Sequence, residues 1–219
     1  MKKMVVLILL TVLGKVSIAQ LSQNVRISAD PMLIKQVSGG NLGFTGNPFL
    51  FEEWQDATVV FSDPSFVNMR VDLKYNLLEN ELLVKNEKGE PGVFREDVKE
   101  FYIKHDGKTV LYRKGFSGAG LKKNHFVEVL YDGKVKFLKD TNKDIVESKG
   151  YNTGVPEKKI ESTTRYFFVR DGEVKEAKLN EKFVLDYLNT PAANGYVKEN
   201  KLNLKKEADI ASLLRNVIK

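Results

Sequence analysis

The sequence predicts a mainly β (α+β) chain: an antiparallel up-and-down meander of roughly nine or ten strands, curled or barrel-like, closed by two or three C-terminal helices. Three observations predict it. From residue 57 onward, apolar and polar side chains alternate with a period of two. Asp-Gly pairs at 106–107, 132–133 and 171–172 interrupt that alternation, and Asp-Gly favours the φ > 0 turns that match strand twist. After Lys178 the apolar spacing lengthens to that of a helix.

The chain opens with the three parts of a secretory leader. Lys2 and Lys3 precede an apolar run from Val5 to Leu13, and Ser17-Ile18-Ala19 supplies a small-x-small cleavage site before Gln20. The run is about half the ~20 residues of a membrane-spanning helix, and Lys15 closes it. Residues 1–19 are therefore expected to be a signal peptide, and the mature chain is expected not to span a membrane. Residues 20–43 lack sustained periodicity and end in Ser38-Gly39-Gly40-Asn41. They read as an N-terminal arm or linker in which Met32-Leu33-Ile34 docks as a short strand. Residues 44–219 read as a single β-rich domain with a helical segment over 179–219.

The domain begins with turns at Gly43, Gly46 and Pro48, around which Phe44, Phe49, Leu50, Phe51 and Trp54 offer apolar area. Strands are expected at 57–61, 66–75, 81–85, 99–104, 109–113, 126–131, 135–139, 164–170 and 173–178. In the second, Val67, Met69, Val71, Leu73 and Tyr75 alternate with Asn68, Arg70, Asp72 and Lys74, giving one buried and one wet face. Loops are expected at 86–92, 114–124 and 142–162. Phe167 and Phe168 are adjacent, so they point to opposite faces of their strand, and one must meet solvent, a helix or a partner.

Leu179, Phe183, Val184, Tyr187 and Leu188 share a helical face. Thr190-Pro191 suits the N-cap and first position of a second helix, weakened by Gly195. Asn203 is placed to cap a third, in which Ile210, Leu213, Leu214, Val217 and Ile218 form a continuous stripe.

Composition sets several chemistries aside. Cysteine is absent, which removes disulfides, thiolate metal sites and lipoprotein acylation. The formal charge of +6 falls by three, to +3, on loss of Lys2, Lys3 and Lys15. The remaining basic residues interleave with acids, a solvated surface with no call for nucleic acid. Gly115-Phe116-Ser117-Gly118-Ala119 has Ala where a nucleophile elbow needs Gly, and strands are expected on both sides. His105 and His125 are the two histidines, and Asp106 or Glu128 would have to join them to hold a metal. A hydrolase would draw on Ser117, His125 and a distant acid. The paired acids Glu52-Glu53 and Asp97/Glu100 are too close in sequence to face each other across a cleft by themselves. No catalytic residue, cofactor site or metal site is assigned, and the aromatic-rich strands read first as core and second as the wall of a barrel cavity.

The succession Gly46-Asn47-Pro48-Phe49-Leu50, Leu73-Lys74-Tyr75-Asn76 and Phe126-Val127-Glu128-Val129-Leu130-Tyr131-Asp132-Gly133-Lys134 resembles a family of exported proteins of Bacteroidota. Arg165-Tyr166-Phe167-Phe168 and the closing Lys201-Leu202-Asn203-Leu204-Lys205-Lys206-Glu207-Ala208-Asp209-Ile210 fit the same pattern. The resemblance implies a Gram-negative envelope location (periplasm, outer-membrane surface or outside the cell) and carries no activity or site residue. The expected role is a non-enzymatic interaction or scaffold module with an envelope protein partner. The alternative is a carrier of a small apolar ligand in a β-barrel cavity.

Overall fold

The computed structural model describes residues 34–36, 44–86, 88–149 and 156–218. The expected leader at 1–19, Met32 and Leu33, and most of the expected arm lie outside the described residues. Among the described residues one sheet of eleven strands forms, with every neighbouring pair antiparallel. The strands are β1 (Ile34–Gln36), β2 (Gln55–Phe61), β3 (Met69–Asn76), β4 (Glu81–Lys85), β5 (Pro91–Phe94) and β6 (Val98–His105). They continue as β7 (Lys108–Arg113), β8 (Val127–Tyr131), β9 (Val135–Lys149), β10 (Pro156–Arg170) and β11 (Glu173–Ala177). Three helices follow: α1 (Glu181–Leu188), α2 (Pro191–Glu199) and α3 (Glu207–Val217).

The sheet is two meanders joined at β2. One runs β2-β3-β4-β5 and is extended by β1, while β6 returns to the free side of β2 and starts the run to β11. The order is linear and the sheet stays open, with β1 and β11 at its edges. It curls strongly. β3 and β8 are four strands apart, about 19 Å in a flat sheet, yet the Tyr75 hydroxyl reaches the Phe126 carbonyl at 3.4 Å and Asn80 Nδ2 reaches the Asn124 carbonyl at 2.9 Å. Inside the curl Tyr75, Phe101, Tyr112 and Phe126 pack as edge-on and stacked rings with centroids 5.1–6.4 Å apart. Those rings fill one another's space, where an open barrel would have left a lumen.

Turn chemistry explains the hairpins. Asp106-Gly107 and Asp171-Gly172 have both residues at positive φ (49° and 72°, 52° and 84°), the two-residue reversal their composition favours. Asp132-Gly133 works differently: the Tyr131 ring folds back over it, and a Cβ at Gly133 would lie 2.5 Å from the phenol oxygen. Val67 precedes β3 and is 67% exposed, so the buried alternation begins only at Met69.

The largest departure from expectation is residues 142–162. Residues 142–149 and 156–162 are strand, not loop: β9 and β10 each run for fifteen residues, paired in register from Arg170↔Val135 to Pro156↔Lys149. The distal strands are rich in Lys and Glu, which hides them from propensity; some pairs across the ribbon are favourable, although Asp144 faces Glu161. Lys158 sits opposite Glu147 at 3.2 Å, and Ile160 opposite Ile145. Residues 44–50 brace this ribbon. Thr45 exchanges backbone hydrogen bonds with Lys158 and Ile160, and Lys143 Nζ donates to the carbonyls of Asn47 and Phe49 at 2.8 and 2.6 Å.

At its base the ribbon is buried on both faces. Phe168 and Phe137, directly paired, face the helices, where Val184, Leu188, Ala193, Val197, Ile210, Leu213 and Leu214 cover them. Phe167 and Leu138 face the other way, against Leu121, Val127 and Val169. Both adjacent phenylalanines are thus fully buried, so neither meets solvent. Asn180 caps α1 through the Phe183 amide, and α2 begins at Pro191 after Thr190 and continues through Gly195. Asn203 does not cap α3. Its side chain accepts from the Lys205 amide, while Asp209 in the first turn accepts from the Asn203 amide. Glu207 ties α3 to the sheet through the Tyr166 hydroxyl (2.7 Å) and Lys139 (3.1 Å).

Replacing Phe168 by Ala should cost about 3–5 kcal/mol and loosen all three helices together, measured by urea unfolding and by amide exchange in α1–α3. Burial pushes the phenols of Tyr75 and Tyr112 well up, and burial with Glu207 pushes Tyr166 up to about 12. The folded state therefore keeps protons that the unfolded chain releases near pH 10. Stability should fall as pH rises above about 10, and a flat denaturation midpoint between pH 9 and 11 would contradict this.

Candidate functional site

The 114–124 segment, between β7 and β8, organises the polar chemistry of the molecule. It contains no strand-to-helix elbow. Gly118 and Leu121 bond each other's backbone across Ala119-Gly120, both at positive φ, so the Gly-Phe-Ser-Gly-Ala stretch runs into a tight reversal. Ser117 is exposed there and hydrogen-bonds neither histidine. The reversal lies close over β10: a Cβ on Gly120 would meet Arg165 Nη1 at 2.9 Å.

Beneath it lies a buried charge cluster that sequence reasoning half found. His125, 9% exposed, enters β8, and its Nδ1 stands 2.9 Å from Oδ1 of Asp140, which is 2% exposed. The contact is not a hydrogen bond, because the ring N–H is not aimed at that oxygen, and Oδ1 has no hydrogen-bond partner among the described residues. Arg165, directly across the ladder, donates from Nη2 to the other oxygen, Oδ2, at 2.9 Å. Burial alone would raise the Asp140 carboxyl, but His125 and Arg165 outweigh it and hold it below its usual range. The His125 Nε2, which a hydrolase would need beside a hydroxyl, is buried without a hydrogen-bond partner among the described residues.

The other candidates are placed apart. His105 stacks on Phe51 at 4.0 Å, and its Nδ1 meets Gln55 Oε1 at 3.2 Å. Its Nε2 lies 3.5 Å from Asp106. Glu128 pairs with Lys139 at 3.5 Å. Among the described residues no three His, Cys, Asp or Glu side chains gather closely enough to hold a metal ion. Glu52 and Glu53 are exposed at the entry to β2. Glu100 accepts from Arg113 at 2.5 Å and from the Tyr102 hydroxyl at 2.9 Å. Asp97 accepts from Lys114 and from the Ser62 hydroxyl, and these bonds keep its carboxyl ionised below the usual range. Asp97 and Glu100 therefore serve different networks and do not face each other.

Asp97 also lines an open depression of about 490 Å³, with Ser62, Lys99, Lys114, Gly115, Lys123 and Asn124. Lys114 lies 5.2 Å from the centre of the Phe126 ring, which anchors it to the aromatic core. Neither the depression nor the Asp140–Arg165 pair was legible from sequence. Asp140 shares a strand face with Leu138, so a buried acid was signalled, but naming its partner needed the β9–β10 register.

Removing the Asp140 carboxylate should leave the half-exposed Arg165 guanidinium without its cross-ladder acceptor and the buried His125 ring without its neighbour. Asp140→Ala should lose about 1–3 kcal/mol in urea unfolding. Because the folded carboxyl lies below its ordinary 3.8, its stabilisation holds above that pH and disappears as pH falls through the folded value. The acid limb of the stability curve should therefore flatten in Asp140→Asn. No helix among the described residues is long and apolar enough to cross a membrane. Set against protein-family models, curated proteins and solved structures, the chain matches none of them.

Proposed function

We propose that this chain is an exported cell-envelope protein that works as a non-enzymatic interaction or scaffold module. The observation that carries the reading is the β9–β10 ribbon. At about 3.3 Å per residue a fifteen-residue strand spans roughly 50 Å, and only the proximal half is buried in the cores. The distal half is braced by residues 44–50 and stands clear with Ile145 42% exposed. A stiff two-stranded arm with an outward Ile, whose β9 edge beyond Asp140 meets no further strand among the described residues, is suited to pairing with another protein by strand addition. The ionisable groups that catalysis would recruit support the same reading, because Asp97, Glu100 and Asp140 are each engaged in ion pairs within the fold.

A photo-crosslinking residue in place of Ile145 should capture a discrete envelope protein in living cells, whereas one in place of exposed Glu181 on α1 should not. Ile145→Lys should shift stability by less than about 0.5 kcal/mol and abolish recovery of that partner. Equal capture from both positions, or turnover of a defined substrate by the purified protein, would overturn the reading.

A further inference from the structure

We propose that the depression between the end of β2, β6 and the 114–124 segment is a binding site for a phosphate group carried on a small polyol, gripped by Lys99, Lys114 and Lys123. The inference is independent of the arm and of any protein partner.

The three lysines come from separate parts of the chain, but their backbones are wired together. The Lys114 amide donates to the Lys99 carbonyl at 3.3 Å, and the Gly115 amide donates to the Lys123 carbonyl at 2.8 Å. The lysines are consequently neighbours by construction, and like charges set side by side on adjoining strands repel. Only one carboxylate lines the same hollow, and Asp97 is already committed to Lys114 and Ser62. Lys99 and Lys123 have no ion pair among the described residues. The hollow thus holds two uncompensated positive charges on a fixed frame, an arrangement a bound anion relieves.

The kind of anion follows from the donors. Ammonium groups are compact point charges with freely rotating donors, which suit a tetrahedral oxyanion, whereas planar carboxylate recognition favours the arginine fork. No arginine lines the hollow. A volume of about 490 Å³ exceeds what a bare phosphate fills and falls in the range of small-molecule sites. Ser62 and Asn124 supply a hydroxyl and an amide for the hydroxyls of an attached body, while the lysine methylenes supply its apolar walls. The same phosphate-on-polyol chemistry occurs in soluble sugar phosphates and in glycerophospholipid headgroups.

Calorimetric titration at low salt should use inorganic phosphate, glycerol 3-phosphate and neutral glycerol, with vesicle sedimentation on phosphatidylglycerol against phosphatidylcholine. Glycerol 3-phosphate should bind more tightly than inorganic phosphate, and glycerol should not bind. Its Kd should rise about tenfold in Lys99→Gln and again in Lys123→Gln, while exposed Lys178→Gln leaves it unchanged. In the unsubstituted protein the Gly115 and Asn124 amide resonances should shift on titration, a readout that needs no variant. Binding in solution alone identifies a soluble ligand, and sedimentation with phosphatidylglycerol that both substitutions abolish identifies a headgroup. Failure of every probe at millimolar concentration, or an equal loss in Lys178→Gln, would refute the site.

Discussion

The structure depends on burying both faces of one two-stranded base. Phe137 pairs with Phe168 on one side of the β9–β10 ribbon, and Leu138 pairs with Phe167 on the other. Strand geometry sends adjacent residues to opposite faces, so two consecutive large apolar residues on each strand demand two separate covers. The three helices provide one. The 114–124 segment and β8 provide the other. An open antiparallel sheet normally leaves one face wet; here the double demand draws helices and loop onto the same stretch of the second meander.

That second cover has an electrostatic consequence. Bringing the 114–124 segment down over β10 seals Asp140 between His125 and Arg165, and the same segment lifts Lys114 and Lys123 toward Lys99. One loop thus closes a buried acid below and opens a cationic hollow above. Asp140 is held by geometry that water cannot easily replace, whereas Lys99 and Lys123 stay exposed and Lys114 is held by Asp97. The remaining acids, Glu100 with Arg113 and Glu207 with Lys139 and Tyr166, act as fasteners between elements.

Local order was the legible part of the sequence. Alternation from Met69 to Tyr75, the Asp-Gly reversals at 106 and 171, and the apolar stripe of α3 each rest on neighbours within a few residues, and each appears in the fold. What escaped depends on distant register. The distal ribbon looked like a loop because Lys, Glu and Asn have poor strand propensity, and its support comes from distant partners: Glu147 opposite Lys158, Ile145 opposite Ile160, and the brace at residues 44–50. β5 was hidden by Pro91 and Gly92, which an outer position in the first meander tolerates. The lysine hollow escaped for the same reason: interleaved charges read as solvated surface until the strands bring Lys99, Lys114 and Lys123 side by side.

The brace formed by residues 44–50 also orders events in time. Thr45 is fastened to Lys158 and Ile160, and Asn47 and Phe49 are held by Lys143, all roughly a hundred residues downstream. A chain emerging from its N-terminus cannot complete those bonds until the ribbon has followed, and contacts that distant close late. The first meander therefore spends its early life without its clasp, and the molecule becomes rigid only when its final third arrives.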